Sequence, residues 1–428
     1  FETTEVIEYK LTGADRYCPD CNTKYKVVTK ETVKRLKFVP ARFEVVEEVT
    51  FVYSCPKCGA MKRPEKTPSL LKGSVATPSL VAGIMNAKYV NGMPLARQER
   101  EFARYDLNLS TKTMANWIIQ CADRYLQPLY ALMKEELLRS KYLHGDETRI
   151  QVIDEPGQKG STQNWMWVYL TDEYSGSPRM VLFQYERTRA GYHPVEFLGD
   201  QFEGYFTCDG YQAYHSLPER ITVTGCMAHA RRRFEEALTV LKKDFTKEQL
   251  KETTAYQAMA RIGMLYKIEE MIRDKSPEER YEERQKQAKP LLEAFFEWLH
   301  TLEDSVDRSS LIGEAVLYTL NQEVYLKRYL EDGHLSIDNL AAERALKNFA
   351  TGRRNWLFAK SIRGAQASAT VYSITETAML NGLKPYNYLT YVMEQMKDLS
   401  PFPEKEAMLE LLPWSNSLPA DCRSKLKK

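Results

Sequence analysis

Between Ser79 and about Leu138 the apolar positions return every three or four residues, which predicts a run of helices. Ser110-Thr111-Lys112-Thr113 reads as an N-cap and first turn leading into Met114-Ala115-Asn116-Trp117-Ile118-Ile119. A helix, a short turn and a second helix opening on small polar residues is the outline of a helix-turn-helix. From Tyr142 the pattern changes to runs rich in β-branched and aromatic residues. Tyr142–Val152, Trp165–Thr171 and Met180–Gln184 are expected as three successive strands. A helical stretch (Pro194–Leu198), a fourth strand (Gly204–Cys208), a helical Tyr211–Ser216 and a fifth strand (Ile221–Thr224) follow. Residues from roughly Ala230 to Leu330 are charged and helical throughout, and no further strand is expected after them. The pattern is that of an α/β core carrying a long helical insertion. Ahead of it, to about residue 66, lies a β-rich interval (Lys26–Val28, Arg42–Tyr53) between two cysteine pairs; Pro64, Pro68 and Pro78 then mark a linker.

A chain of 428 residues is too long for one compact core, so several domains are expected. The texture divides it into 1–66 (cysteine module), 67–138 (helical region), 139–368 (core, with the insertion at about 232–330) and 369–428 (C-terminal helical element). No apolar run approaches the ~18 residues that cross a membrane, and no signal-peptide pattern is present, which argues against membrane and secretory classes. Net charge is only +2, but the basic residues cluster in Lys62-Arg63, Arg231-Arg232-Arg233 and Arg353-Arg354. Such clusters are either solvated faces or the footprint of a nucleic acid.

The eight cysteines fall into two kinds. Cys121, Cys208, Cys226 and Cys422 are scattered and suggest no disulfide framework, so a reducing, cytosolic compartment fits. Cys18-Pro-Asp-Cys21 and Cys55-Pro-Lys-Cys58 are matched knuckles with 33 residues between them. Each knuckle lets two thiolates reach one ion, and four thiolates close the tetrahedral shell of a structural Zn²⁺. The zinc would stabilise a module too small to fold alone.

Three acids stand out by their settings. Asp146 lies inside the first strand pattern, where a carboxylate costs desolvation unless a cation compensates. Asp209 ends the fourth strand; a carboxylate there points into the crevice where open sheets bind ligands. Gly210 after it permits a sharp turn and leaves room for backbone or phosphate. Glu343 follows Asp338 and Asn339, either of which can cap a helix, with Ala342, Leu346 and Phe349 forming the buried stripe. Drawn together, three carboxylates repel, and Mg²⁺ or Mn²⁺ relieves that repulsion. Two such ions roughly 3.5–4 Å apart assist in-line displacement at phosphorus. Each acid also has a plainer reading: a turn at Asp209-Gly210, a basic partner for Asp146, a helical pair between Glu343 and Lys347. Glu376 is an alternative third acid.

These settings resemble the transposases of insertion-sequence family sixty-six, in the DDE group. The resemblance runs through the CPDC and CPKCG knuckles, Pro94-Leu95-Ala96-Arg97-Gln98-Glu99, His144-Gly145-Asp146-Glu147-Thr148 and Cys208-Asp209-Gly210-Tyr211. It continues in Gly225-Cys226-Met227-Ala228-His229-Ala230-Arg231-Arg232, Ile337-Asp338-Asn339, Ala342-Glu343-Arg344-Ala345-Leu346, Gly352-Arg353-Arg354-Asn355-Trp356 and Leu380-Asn381-Gly382. Met227 and Leu340 depart from the residues that relatives often carry there, Trp and a second Asn, and neither change removes a carboxylate.

The resemblance implies an RNase H-like catalytic core with Asp146, Asp209 and Glu343 as catalytic acids on Mg²⁺ or Mn²⁺. It also implies an N-terminal zinc module, a helix-turn-helix region that engages element ends, and a further helical segment ahead of Phe1. Cys226 and His229 match a Cys-x-x-His pair beside the insertion, read here as a packed thiol and a hydrogen-bonded imidazole. Double-stranded DNA, as element ends and target, is the expected partner, met by Lys112, Arg231, Arg232, Arg353, Arg354 and a stacking Trp356. A homodimer or larger assembly is implied, since two ends must meet, with accessory proteins encoded by the element as further partners. The expected reaction is cleavage at the element end followed by joining to target DNA, in the bacterial cytoplasm.

Overall fold

The computed structural model describes residues 6–33, 35, 43–157, 159, 161–399, 401 and 403–426. The chain divides into two compact units, Phe1–Val49 and Thr50–Lys428.

In the first unit a 3₁₀ turn at Gly13–Arg16 leads into an isolated bridge between Tyr17 and Lys24. The bridge brackets the first knuckle: Asn22 N–H donates to the Cys18 carbonyl at 2.8 Å, with Asn22 at φ 55°. None of the described residues from 6 to 49 is buried. The β-rich interval expected here does not form: Lys26–Val28 and residues 43–52 pair with nothing as strands, and Arg42 lies outside the described residues. A β-rich composition favours extended chain, but a strand also needs a partner edge. Only Tyr53–Ser54, in the second unit, pairs with Met61–Lys62, around the second knuckle.

The helical region opens with α1 (Pro78–Met85), whose N-cap Thr77 accepts from Leu80 N–H and whose first position is proline. Helices α2 (Leu95–Ala103) and α3 (Thr111–Cys121) pack on each other. Ser110 caps α3 as the sequence predicts, its hydroxyl accepting from Thr113 N–H. Glu99 reaches across from α2 and accepts from Thr111 N–H at 2.9 Å, placing a carboxylate at the positive end of α3. A π-turn at Ala122–Leu126 joins α3 to α4 (Gln127–Leu137).

The five expected strands form one sheet: β1 (Tyr142–Asp154), β2 (Gln163–Leu170), β3 (Val181–Glu186), β4 (Gly204–Thr207) and β5 (Ile221–Thr224). Their order is β3-β2-β1-β4-β5, with the first three antiparallel and β4 and β5 parallel to β1. Helix α5 (Tyr192–Leu198) carries the chain between β3 and β4. One strand of this sheet was not anticipated. The short β6 (Ala359–Ser361) lies parallel to the far end of β1, and its Ala-Lys-Ser sequence has no apolar pattern to announce it.

The insertion runs from α6 (Met227–Leu241) through α7 (Thr254–Met271), α8 (Lys289–Leu302) and α9 (Leu311–Asn321). It gathers its own buried cluster around Ile262, Leu292, Phe295 and Phe296. The chain returns as α10 (Leu340–Trp356), α11 (Ile362–Leu380) and α12 (Pro385–Leu399). Helix α11 covers the outer edge of β3 with hydroxyls. Phe183 N–H donates to Ser373 and Val181 N–H to Thr377, at 2.8 and 3.0 Å, so the edge is closed without another strand. Among the described residues, no helix is long and apolar enough to cross a membrane.

Candidate active site

Two of the three acids are placed by the sheet. His144 pairs with Thr207 across the parallel β1–β4 register, and Asp146 and Asp209 each lie two residues further on. They are therefore side by side where the strands leave the ladder, at a spacing of about 5 Å between neighbouring strands. Gly145, between His144 and Asp146, is forced by packing: a Cβ there would sit 2.1 Å from the Phe206 ring. The space beside Gly210 is filled by Tyr318 from α9, its hydroxyl 2.6 Å and its ring 2.9 Å from where a Cβ would stand. That position is thus closed by the insertion rather than open to phosphate. Asp209 accepts from Tyr211 N–H at 2.9 Å, fixing the turn.

Asp146 has no ion pair among the described residues; its carboxylate accepts only from Glu147 N–H, at 2.8 Å. Burial, with the carboxylates of Glu147, Asp209 and Glu343 nearby, pushes its pKa well above the usual aspartate range. That cost is what a bound cation would remove. Glu147 points to the other face of the strand, where burial raises its pKa against the pull of its partners. Arg189 donates to it at 2.5 and 2.6 Å, and the Tyr214 hydroxyl donates as well. Glu147 thus anchors the loop after Asp209 and already has its counter-ion.

Glu343 is in the first turn of α10, half-buried, and its charge acts on Asp146 and on His229. Arg232 of α6 donates to both carboxylate oxygens, at 2.8 and 3.1 Å, so the pair with Lys347 does not form the main contact. Glu376, the alternative third acid, lies on α11 and accepts from Asn348 at 3.1 Å. Of the two, Glu343 is the one whose charge is seen to act on Asp146.

The cap of α10 works differently from expectation. Asp338 accepts from Leu340 N–H at 3.0 Å, while Asn339, in the cap position, makes no side-chain cap. Its amide instead donates to the Gly145 carbonyl at 2.8 Å and accepts from His144 Nδ1 at 2.9 Å. His144 Nε2 donates to Asp172 at 3.1 Å, and Ser336 donates to the same carboxylate. Both ring nitrogens face acceptors, so the ring keeps both protons. Burial opposes that charge, yet Asp172 raises the His144 pKa; Asp172 itself, despite burial, is held down at about 2 by the histidine. This buried network ties β1 to the start of α10 and so fixes Glu343 relative to Asp146. His144, Asp172 and Asn339 were not singled out for this role from sequence, since the pairing spans 195 positions.

Cys226 is the N-cap of α6, buried, and its Sγ accepts from Asn339 N–H at 3.1 Å. Burial pushes its thiol up to about 12. His229 was read as hydrogen-bonded, but its Nδ1 is buried with no hydrogen-bond partner, 3.7 Å from Glu343 Oε1.

The basic residues expected at DNA are variously engaged. Arg353 donates to the Arg149 carbonyl on β1, and Arg231 stacks over the Tyr266 ring at 5.5 Å. Trp356 is half-buried edge-on against Phe349. Lys112 and Arg354 are exposed. In the knuckles, backbone N–H groups of Asp20 and Cys21 draw the Cys18 thiol down to about 7, and those of Cys58 and Lys57 lower Cys55. Each knuckle therefore favours the thiolate that zinc requires.

Three family models match the chain. They are the transposase IS66 family over residues 73–367, the zinc-finger binding domain of transposase IS66 over 15–59, and the IS66 C-terminal element over 373–414. The zinc-finger match contains all four knuckle cysteines and supports a structural zinc. Two similar proteins of Sinorhizobium fredii (strain NBRC 101917 / NGR234) are both described as uncharacterised. The chain is 30% identical to y4hP over 93% of its own length and 73% of that protein's. It is 29% identical to y4jD over 94% and 78% respectively. No solved structure matches. With the family model spanning both aspartates and the glutamate, this chain belongs to the IS66 family of transposases.

Proposed function

We propose that the chain is a DDE transposase that cuts DNA at the ends of its insertion sequence and joins the freed 3′ ends to target DNA. The observation that carries this is half-buried Asp146 on β1, without a counter-ion and within electrostatic reach of half-buried Asp209 past the end of β4 and Glu343 on α10. All their donor atoms are carboxylate oxygens, the set that suits Mg²⁺ or Mn²⁺. When bound, such ions activate the attacking oxygen and offset charge on the leaving one.

The chain's own groups do the rest. The paired strands hold Asp146 and Asp209 rigidly, the His144–Asn339 bridge holds the start of α10, and Arg232 grips the Glu343 carboxylate through both oxygens. Sheet order supports an RNase H-like core: three antiparallel strands, then two parallel ones beside the first, with acids on the adjacent central strands. Lys112 at the start of α3, with Arg231 and Arg354, is proposed to meet phosphates; Arg232, Arg353 and Trp356 would first have to exchange their internal contacts. Residues 1–66 are proposed to act as a zinc module, 67–138 as the DNA-binding helical region, 139–368 as the catalytic core and 369–428 as a C-terminal element. Bringing two ends together calls for at least a dimer, and element-encoded accessory proteins would act in that assembly.

The test is a strand-transfer assay with Mg²⁺ and pre-cut duplexes ending in the element's own terminal sequence. Joined product that disappears in Asp146→Asn is expected. Cleavage without any joined product would reduce the chain to a nuclease. Unchanged activity in all three acid variants would leave only a DNA-binding protein.

A further inference from the structure

We propose that Cys226, His229 and Glu343 form a second zinc site, separate from the cysteine knuckles, that withdraws Glu343 from the Mg²⁺ set. A thiol sulfur, an imidazole nitrogen and a carboxylate oxygen from these residues all lie within 4.8 Å of one another. Sulfur, nitrogen and oxygen together suit Zn²⁺ far better than Mg²⁺, which takes oxygen alone. Three protein ligands leave a fourth tetrahedral position for water.

Independent features point to a ligand here. His229 Nδ1 is shut from water and makes no hydrogen bond, a cost that folding would ordinarily avoid. Cys226 stands at the N-cap of α6, and His229 stands three residues on, on the same side of the first turn. The Asn339 N–H already donates to the Cys226 sulfur, as outer groups do around zinc-bound thiolates. Binding would release the Cys226 proton to solvent and displace Arg232, whose side chain is 48% exposed and free to swing outward. Since Glu343 cannot serve both ions in full, zinc at this site opposes magnesium at the other; that consequence rests on the catalytic reading of Glu343.

The experiment uses the full chain, dialysed against micromolar zinc and then against metal-free buffer, with zinc counted per chain. Wild type is expected to retain one equivalent more than Cys226→Ser and one more than His229→Gln, each checked for unchanged thermal unfolding in chelator. Equal zinc in wild type and in whichever variant folds would overturn the site. In Mg²⁺-supported cleavage, added zinc is expected to inhibit wild type about tenfold, which is about 1.4 kcal/mol, and to leave each variant's own activity unaltered. Equal inhibition of variants and wild type would overturn the competition. An extra zinc equivalent in a chain that never cleaves DNA would refute the catalytic reading and leave the zinc site standing.

Discussion

The strands that carry Asp146 and Asp209 and the helix that carries Glu343 are held by different kinds of bond. The aspartates ride on β1 and β4, whose backbone ladders and buried neighbours fix them without help from any one side chain. Glu343 rides on a helix separated from Asp209 by the whole insertion. Ala342, Leu346 and Phe349 pack that helix on the core, but its first turn is also set by polar side chains: Asn339 on Gly145, His144 on Asp172, Arg232 on the carboxylate itself. A sheet sets distances robustly, whereas a polar bridge sets them only while each member is present. The third acid should therefore be the part of the site that mutation can loosen without unfolding the core.

Replacing the acids should have the largest effect and erase the comparison. Asp146→Asn, Asp209→Asn and Glu343→Gln are each expected to lower Mg²⁺-dependent cleavage roughly a thousandfold, about 4 kcal/mol of barrier. In metal-free protein, however, Asp146→Asn should raise the melting temperature at neutral pH. The raised pKa of Asp146 means its contribution to stability is present below its ordinary range and lost as pH rises. Added Mg²⁺ should then stabilise wild type and not this variant, as calorimetry would record.

Asn339→Ala tests the bridge itself. Letting Glu343 drift by about 1 Å should cost roughly a hundredfold in turnover and raise the Mn²⁺ concentration for half-maximal activity, with the sheet intact by circular dichroism. A fall in stability alone, with normal metal dependence, would count against a positioning role.

Asp172→Asn should destabilise the fold by about 2 kcal/mol, the equivalent of lowering a carboxyl from 3.8 to about 2. That contribution is present above about pH 4 and fades as pH falls toward 2. The raised His144 pKa works in the opposite sense, adding stability below its ordinary 6.5 that is lost at higher pH. Unfolding measured across pH should thus show the largest wild-type advantage between about pH 4 and 6.5. Arg232→Gln is the mildest change: losing a half-exposed ion pair should lower the Mg²⁺ requirement by about threefold, because the arginine competes for Glu343.

The same contrast explains what the sequence made legible. β1 to β5 were readable because β-branched and aromatic runs announce strands, and Asp146 and Asp209 stood out as acids within and at the end of them. The helical insertion was readable from its charge and periodicity. Pairings between distant side chains were not: nothing in the spacing of His144 and Asn339 signals that they meet, and Asn339 looked like a cap. Ala359–Ser361 became a strand only because β1 offered it an edge, and residues 43–52 stayed irregular because nothing did. The Cys226–His229 spacing was visible, but the unpartnered nitrogen that makes it chemically pointed is a property of packing.

The most direct measurement of the central claim is anomalous diffraction from crystals of the full chain soaked in Mn²⁺. Manganese bound by carboxylate oxygens of Asp146, Asp209 and Glu343 together is the predicted result. Manganese on the two aspartates with Glu343 still held by Arg232, or bound through Glu376 instead, would contradict it.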